Sequence, residues 1–271
     1  MTAGLDWQTR VGDVWAAEWR RTDRSFAGLS SYLDAAIQAA APLCGTALDI
    51  GCGAGSTALA LAASRPGVRV YGVDLSPALV EVARARGLDA HLGDAVERAE
   101  TLRPDLLVSR HGVMFFADPY AAFGRLRAGV KPGAPLVFSC FRDRSLNVWA
   151  DHLVTEVTGA RPADWPGYMP GPFAFADRAF VFDLLARSGW TNVAAEPIDF
   201  LYTAGEGDDP VADAVDFLSR IGPVASAIGA AADPVRLRSR LRDVLASYRI
   251  DTAVRFPAAA WIWRAQAGDT A

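Results

Sequence analysis

Thr46-Ala47-Leu48-Asp49-Ile50-Gly51-Cys52-Gly53-Ala54-Gly55-Ser56-Thr57 reads as an apolar strand carrying an acid, three glycines at alternate positions, and a hydroxyl-bearing helix start. Glycines are needed there because the strand turns at once into a helix while its backbone comes close to a ligand. The helix that follows presents free N–H groups and the positive end of its dipole. A dinucleotide loop, G-x-G-x-x-G, would place its third glycine where Ser56 stands. It would also bring a pyrophosphate beside the negative charge of Asp49. The stretch therefore disfavours an NAD(P)-dependent oxidoreductase, and Asp49 suits a ligand that carries an ammonium group.

Three further signals follow in order. Val68-Arg69-Val70-Tyr71-Gly72-Val73-Asp74 alternates like a strand and ends in an acid 23 residues after Gly51. In doubly wound folds an acid at about 20 residues accepts hydrogen bonds from ribose hydroxyls. Leu92-Gly93-Asp94-Ala95 closes a third short strand, and Asp105-Leu106-Leu107-Val108-Ser109-Arg110-His111 is a fourth, ending where such sheets present ligands. Each piece alone is weak; all four in register is a strong signal.

The D-x-G-x-G-x-G arrangement resembles motif I of the class I S-adenosylmethionine-dependent methyltransferases, whose ligand has an amino-acid tail and no phosphate. Ser109-Arg110-His111-Gly112-Val113-Met114-Phe115-Phe116-Ala117-Asp118-Pro119, Gly171-Pro172-Phe173-Ala174-Phe175-Ala176-Asp177 and Ile221-Gly222-Pro223 are similar to a bacterial small-molecule branch of that family. The resemblance implies an α/β, doubly wound, seven-stranded and mostly parallel sheet whose last strand is antiparallel, with added helical lid elements. It implies S-adenosylmethionine across the carboxyl ends of the strands and S-adenosylhomocysteine as product. His111 departs from the branch, where an aromatic residue is usual before the glycine.

That resemblance gives residues their expected roles. Asp49 orients the methionyl ammonium, Gly51, Cys52 and Gly53 offer backbone, Asp74 and Leu75 meet the ribose, Asp94 and Ala95 the adenine, and Ser109 the methionine tail. Methyl transfer depends mainly on in-line alignment, so a base matters only for an acceptor protonated at working pH. His111, after the fourth strand, and His152, on a helix beyond the fifth, are the candidate bases. His91, inside the third strand, suits a core or edge position. If His111 is the base, the rate should rise with pH through its ordinary pKa of ~6.5. Trp15, Met114, Trp165, Tyr168 and Met169 are the candidate acceptor-binding residues, because such pockets are mostly apolar.

Composition sets the frame. The chain has 271 residues, 51% hydrophobic and 21% charged, with a net charge of −4. These values read as an ordinary globular protein able to bury a large core. The negative charge and the absence of a basic run argue against nucleic acid as partner. Cys44, Cys52 and Cys140 lack metal-ligand or C-x-x-C spacing, which suggests reduced thiols in a cytoplasmic protein with no metal. No signal-peptide pattern or membrane-spanning run is read, and a homodimer is allowed for.

Strands and helices alternate over residues 45–142, so this stretch is the expected cofactor-binding core of a single domain covering 1–271. Residues 1–44 form an N-terminal helical cap, 143–176 a lid insertion, 177–203 further core, 204–252 a helical insertion, and 253–271 the final strand and tail. Within this scheme Phe256–Ala265 is the closing strand, its start made irregular by Pro257. Trp7, Trp15, Trp19, Trp149 and Trp165 all fall outside the alternating core, and Trp15 and Trp19 share one face of an N-terminal helix at a spacing of four. The leading function is a methyltransferase acting on a small, apolar or aromatic organic acceptor. A protein of the same fold that holds S-adenosylmethionine without methylating is the alternative.

Overall fold

The computed structural model describes residues 7–163 and 167–268. Its centre is a sheet of β1 (Gly45–Ile50), β2 (Val68–Asp74), β3 (Asp89–Leu92), β4 (Leu106–Arg110), β5 (Pro135–Phe141), β6 (Trp190–Glu206) and β8 (Ala253–Ala267). Their order is β3-β2-β1-β4-β5-β8-β6, and a two-residue β7 (Arg249–Ile250) pairs with β8. The first five strands are mutually parallel and β8 runs antiparallel to both β5 and β6. This is the expected doubly wound sheet, with β7 as a small extra hairpin strand.

The strands of the parallel half read as apolar runs because helices cover both faces. Leu48, Leu106, Leu107, Leu136 and Phe138 have no exposed surface. Helices in this half start where the sequence caps them. Ser76 Oγ accepts the Leu79 N–H ahead of the helix Pro77–Ala85, and Asp118 accepts the Ala121 N–H ahead of Pro119–Gly129. Reversal of the order at β1/β4 leaves a crevice at the carboxyl ends of those strands, the ordinary ligand position in such sheets.

Pro257 does not disturb the closing strand, which runs through it from Ala253 to Ala267. The Pro257 carbonyl accepts the Val148 N–H on the side where β5 has already ended. A missing N–H costs nothing at such an edge. Trp15 and Trp19 likewise do not share one helix. The chain breaks at Glu18, so Trp15 lies on the helix Arg10–Ala17 and Trp19 on the helix Trp19–Ser25.

The N-terminal helices lie across the carboxyl ends of the parallel strands. A Cβ on Gly12 would stand 2.3 Å from Ser76 Oγ and 2.2 Å from the Trp7 carbonyl oxygen. Only glycine therefore lets Arg10–Ala17 settle against the turn after β2. On its other side this region is tied to the helix Pro210–Leu218 and its end. Arg21 and Arg24 reach Asp213 at 2.7 and 2.6 Å, and Glu18 accepts Arg220 at 2.7 Å. Among the described residues no helix is long and apolar enough to cross a membrane.

Candidate active site

The first strand ends in a loop whose glycines all hold positive φ: Gly51 at 63°, Gly53 at 54° and Gly55 at 87°. A Cβ on Gly51 would also press to 3.0 Å of Gly112 Cα, so the loop after β1 and the turn after β4 meet backbone to backbone. Cys52 lies between them with its thiol buried and its pKa raised by burial first, then by Asp49 and Asp74. Its N–H donates to the Val73 carbonyl at 3.0 Å. Such a thiol is unreactive and the residue serves the loop through its backbone.

Asp49 is 1% exposed, and neither carboxylate oxygen has a hydrogen-bond partner. Burial raises its pKa to about 7, against the opposing pull of Arg110 and of the Ala58 N–H, which approaches without meeting hydrogen-bond geometry. An acid buried without a partner is costly unless a ligand supplies the missing positive charge or donors. Asp74 is also buried at its carboxylate, and burial pushes its pKa up. Its Oδ2 accepts the Gly53 N–H at 2.8 Å and its Oδ1 the Ser76 N–H at 2.9 Å. A carboxylate has roughly four lone-pair positions, so its backbone partners leave room for a further donor. Leu75, half-buried, makes the turn between Asp74 and the capping Ser76.

Asp94 Oδ1 caps the helix Ala95–Leu102 by accepting the Val96 and Glu97 N–H groups. Asp94 also borders a shallow cavity of about 200 Å³ with Phe116, Ala117 and Asp118. Ala95, buried, is the first residue of that helix. Ser109 has no exposed surface. Its hydroxyl donates to the Ile50 carbonyl at 2.7 Å and accepts the Gly112 N–H at 3.1 Å. That hydroxyl is committed to binding the ends of β1 and β4 together.

Beyond β4 the surroundings become aromatic. His111 sits at a φ of 62° and is 7% exposed. Its ring centroid lies 4.2 Å from Phe141 and 4.9 Å from Phe26. Phe141 in turn contacts Trp149, which lies between Phe173 and Tyr202. His111 Nδ1 and Ser139 Oγ share a hydrogen bond of 2.9 Å, while His111 Nε2 and Trp149 Nε1 are buried without partners. Burial, aided by Arg110, lowers the His111 pKa to about 3. The expected titration near 6.5 is therefore corrected: this imidazole is neutral throughout the working range.

The other sequence candidates are spread out. His152 is exposed at the start of the helix His152–Thr158. Trp15 packs on Trp7, and Met114 is buried in the core, its carbonyl accepting the Gly171 N–H. Tyr168 stacks on Phe180 and donates its hydroxyl to the Phe116 carbonyl, with Met169 half-buried beside it. Trp165 lies outside the described residues.

A family model described as "Methyltransferase domain" matches residues 48–138. This segment holds the glycine loop and all three strand-end acids. The match covers about a third of the chain, the part that carries the candidate site, which is thus similar to methyltransferase domains. Over 92 residues the chain is 36% identical to trans-aconitate 2-methyltransferase of Methylobacterium radiotolerans, covering 33% of this chain and 35% of that protein. Isonocardicin synthase of Nocardia uniformis subsp. tsuyamanensis is 43% identical over 68 residues, covering 25% of this chain and 23% of that one. The matched segments thus span about a third and about a quarter of these relatives. The fold is that of a Haemonchus contortus phosphoethanolamine N-methyltransferase 2 solved with S-adenosyl-L-methionine. The two share 15% identity at a TM-score of 0.56, over 99% of this chain and 61% of that one.

Several residues around the candidate site carry no sequence signal. Phe26, Phe141 and Tyr202 are ordinary apolar positions of three separate elements, and only the fold gathers them around His111. Asp23, Arg86 and Arg110 form an ionic cluster across the glycine loop from residues up to 87 apart. The run Ser109-Arg110-His111 marks the end of β4, but the sequence reading gives Arg110 no role of its own.

Proposed function

We propose that this chain binds S-adenosylmethionine at the carboxyl ends of β1–β4 and transfers its methyl group to a small aromatic or apolar acceptor held beside β4 and β5. The observation that carries the cofactor reading is Asp49: buried, unpartnered, and held near neutrality until a cation arrives. An ammonium group relieves that cost directly. Asp74 keeps lone-pair capacity for the ribose hydroxyls, and Asp94 with Ala95 suits the edge and face of adenine. When bound, the cofactor supplies a methyl group on a sulfonium that departs as a neutral thioether.

The chain's own work is then alignment and exclusion of water. The N-terminal helices cover the loop at Gly12 and Ser76, and Tyr168 ties the 143–176 insertion to Phe116. The rings of Phe26, Phe141, Trp149 and Phe173 suit a flat apolar acceptor, with His111 Nε2 and Trp149 Nε1 as two polar handles. A neutral His111 positions the acceptor by hydrogen bonding, oriented by Ser139, and stores no proton near neutral pH.

Calorimetry with S-adenosylhomocysteine and NADH tests the cofactor reading. Binding of the first and none of the second is expected; the reverse overturns it. Transfer of label from methyl-labelled S-adenosylmethionine to a panel of phenolic, aliphatic and acidic acceptors tests the second half. Turnover confined to highly charged aliphatic acceptors would overturn the aromatic site.

A further inference from the structure

One carboxylate of the protein lies in a setting suited to a bound anion. Asp23, on the helix Trp19–Ser25, accepts from Arg110 Nη2 at 2.6 Å and from Arg86 Nη1 at 3.2 Å. It also accepts the hydroxyl of Ser56, the first residue of the helix Ser56–Ser64. Two guanidinium groups, a hydroxyl and a helix N-terminus make an anion site without any ligand. Arg86 is held in place by the Ala54 carbonyl at 2.7 Å and by stacking over Trp19. Arg110 is also the cation that acts on Asp49, the buried acid with two unpartnered oxygens.

We infer that Asp23 is an internal placeholder for the carboxylate of the cofactor's amino-acid tail, and that Arg110 and Arg86 take up that carboxylate when the cofactor binds. The inference rests on the reading that the chain binds S-adenosylmethionine. An amino-acid tail carries its ammonium and its carboxylate on one carbon. If Asp49 receives the ammonium, the cation for the carboxylate has to lie close by, and Arg110 stands two residues beyond Val108, the β4 partner of Asp49 in the sheet. The guanidinium fork binds a carboxylate in a way a lysine cannot reproduce. Cofactor binding then competes with docking of the helix Trp19–Ser25. Arg21 and Arg24, on either side of Asp23, keep that helix tied to Asp213 while the Asp23 side chain gives up its contacts.

The test compares S-adenosylhomocysteine with its decarboxylated analogue, which keeps the ammonium and lacks the carboxylate, by calorimetry. In Arg110→Gln, affinity for S-adenosylhomocysteine should fall about tenfold or more, while that of the decarboxylated analogue changes by less than about threefold. Asp23→Asn should raise affinity for S-adenosylhomocysteine several-fold and leave the analogue unchanged. Equal losses for both ligands in Arg110→Gln, or weaker S-adenosylhomocysteine binding in a folded Asp23→Asn, would overturn the inference. Hydrogen exchange on the unaltered protein gives an independent measure: amides of residues 19–25 should exchange faster with S-adenosylhomocysteine than with the analogue. Equal exchange would also overturn it. Failure of the unaltered protein to bind either ligand would instead remove the cofactor reading itself.

Discussion

Along β3-β2-β1-β4 the carboxyl ends of the sheet present acids and backbone, while along β5-β8-β6 the same edge presents rings. In the first half Asp49, Asp74 and Asp94 each stand at or just past a strand end, and the glycine loop joins them. In the second, Phe141 ends β5, Tyr202 lies near the end of β6, and Phe26 and Trp149 come from turns outside the alternating core. One half recognises a ligand by charge and hydrogen bonding through short, local sequence patterns. The other half is assembled from distant apolar positions, and it is there that we propose the acceptor is chosen.

This division yields variants that should affect one half only. The largest effect belongs to Asp74→Ala. It removes charge-assisted hydrogen bonds worth about 1.5–3 kcal/mol each and the anchor of the Gly53 and Ser76 amides. Calorimetry should show S-adenosylhomocysteine affinity falling at least about a hundredfold, with the near-ultraviolet spectrum of the aromatic half unchanged. Unaltered affinity in the folded variant would remove Asp74 from the site.

Asp94→Ala should be milder. Its Oδ1 caps a helix, and losing such a cap costs about 0.5–2 kcal/mol. A thermal melt should show that loss, with S-adenosylhomocysteine binding reduced about tenfold or less. A loss of binding as large as that of Asp74→Ala would assign Asp94 a share of recognition that the capping geometry does not suggest.

The first half was largely legible in the sequence because its determinants are local. The run from Thr46 to Thr57 dictates a strand, a tight loop and a helix start, and the structure has them at Gly45–Ile50 and Ser56–Ser64. The second half was not, because its polar and aromatic partners lie far apart in sequence. His111 carries no local mark of the burial that depresses its pKa; that comes from Phe26 and Phe141 closing over it. Trp15 and Trp19 show a helical spacing of four, yet the break at Glu18 separates them. Pro257 looked disruptive only because the sequence does not show that β5 ends before reaching it.

For His111→Phe the expected kinetic effect of pH is the smallest. Since the imidazole stays neutral down to about pH 3, wild type and variant should share one pH–rate shape between pH 5.5 and 8. Stability behaves differently. A histidine depressed from 6.5 to about 3 in the folded state is protonated only after unfolding across that window. The wild type should therefore lose stability as pH falls below about 6.5, and His111→Phe should lose less. An inflection near 6.5 in the wild-type rate, absent in the variant, would restore His111 as a general base.

The central claim is that Asp49 waits, largely protonated below neutrality, for the ammonium of the cofactor's tail. Its raised pKa means the folded state holds a proton that the unfolded state has released between pH 3.8 and about 7. Stability from this group therefore falls as pH rises through that window, and a bound cation reverses the shift. Calorimetry of S-adenosylhomocysteine binding at pH 6, run in buffers of different ionisation enthalpy, measures the proton directly. Release of close to one proton by the wild type, and none by Asp49→Asn, is the predicted result. Tight binding with no proton released by the wild type, or with equal release by both proteins, would contradict it.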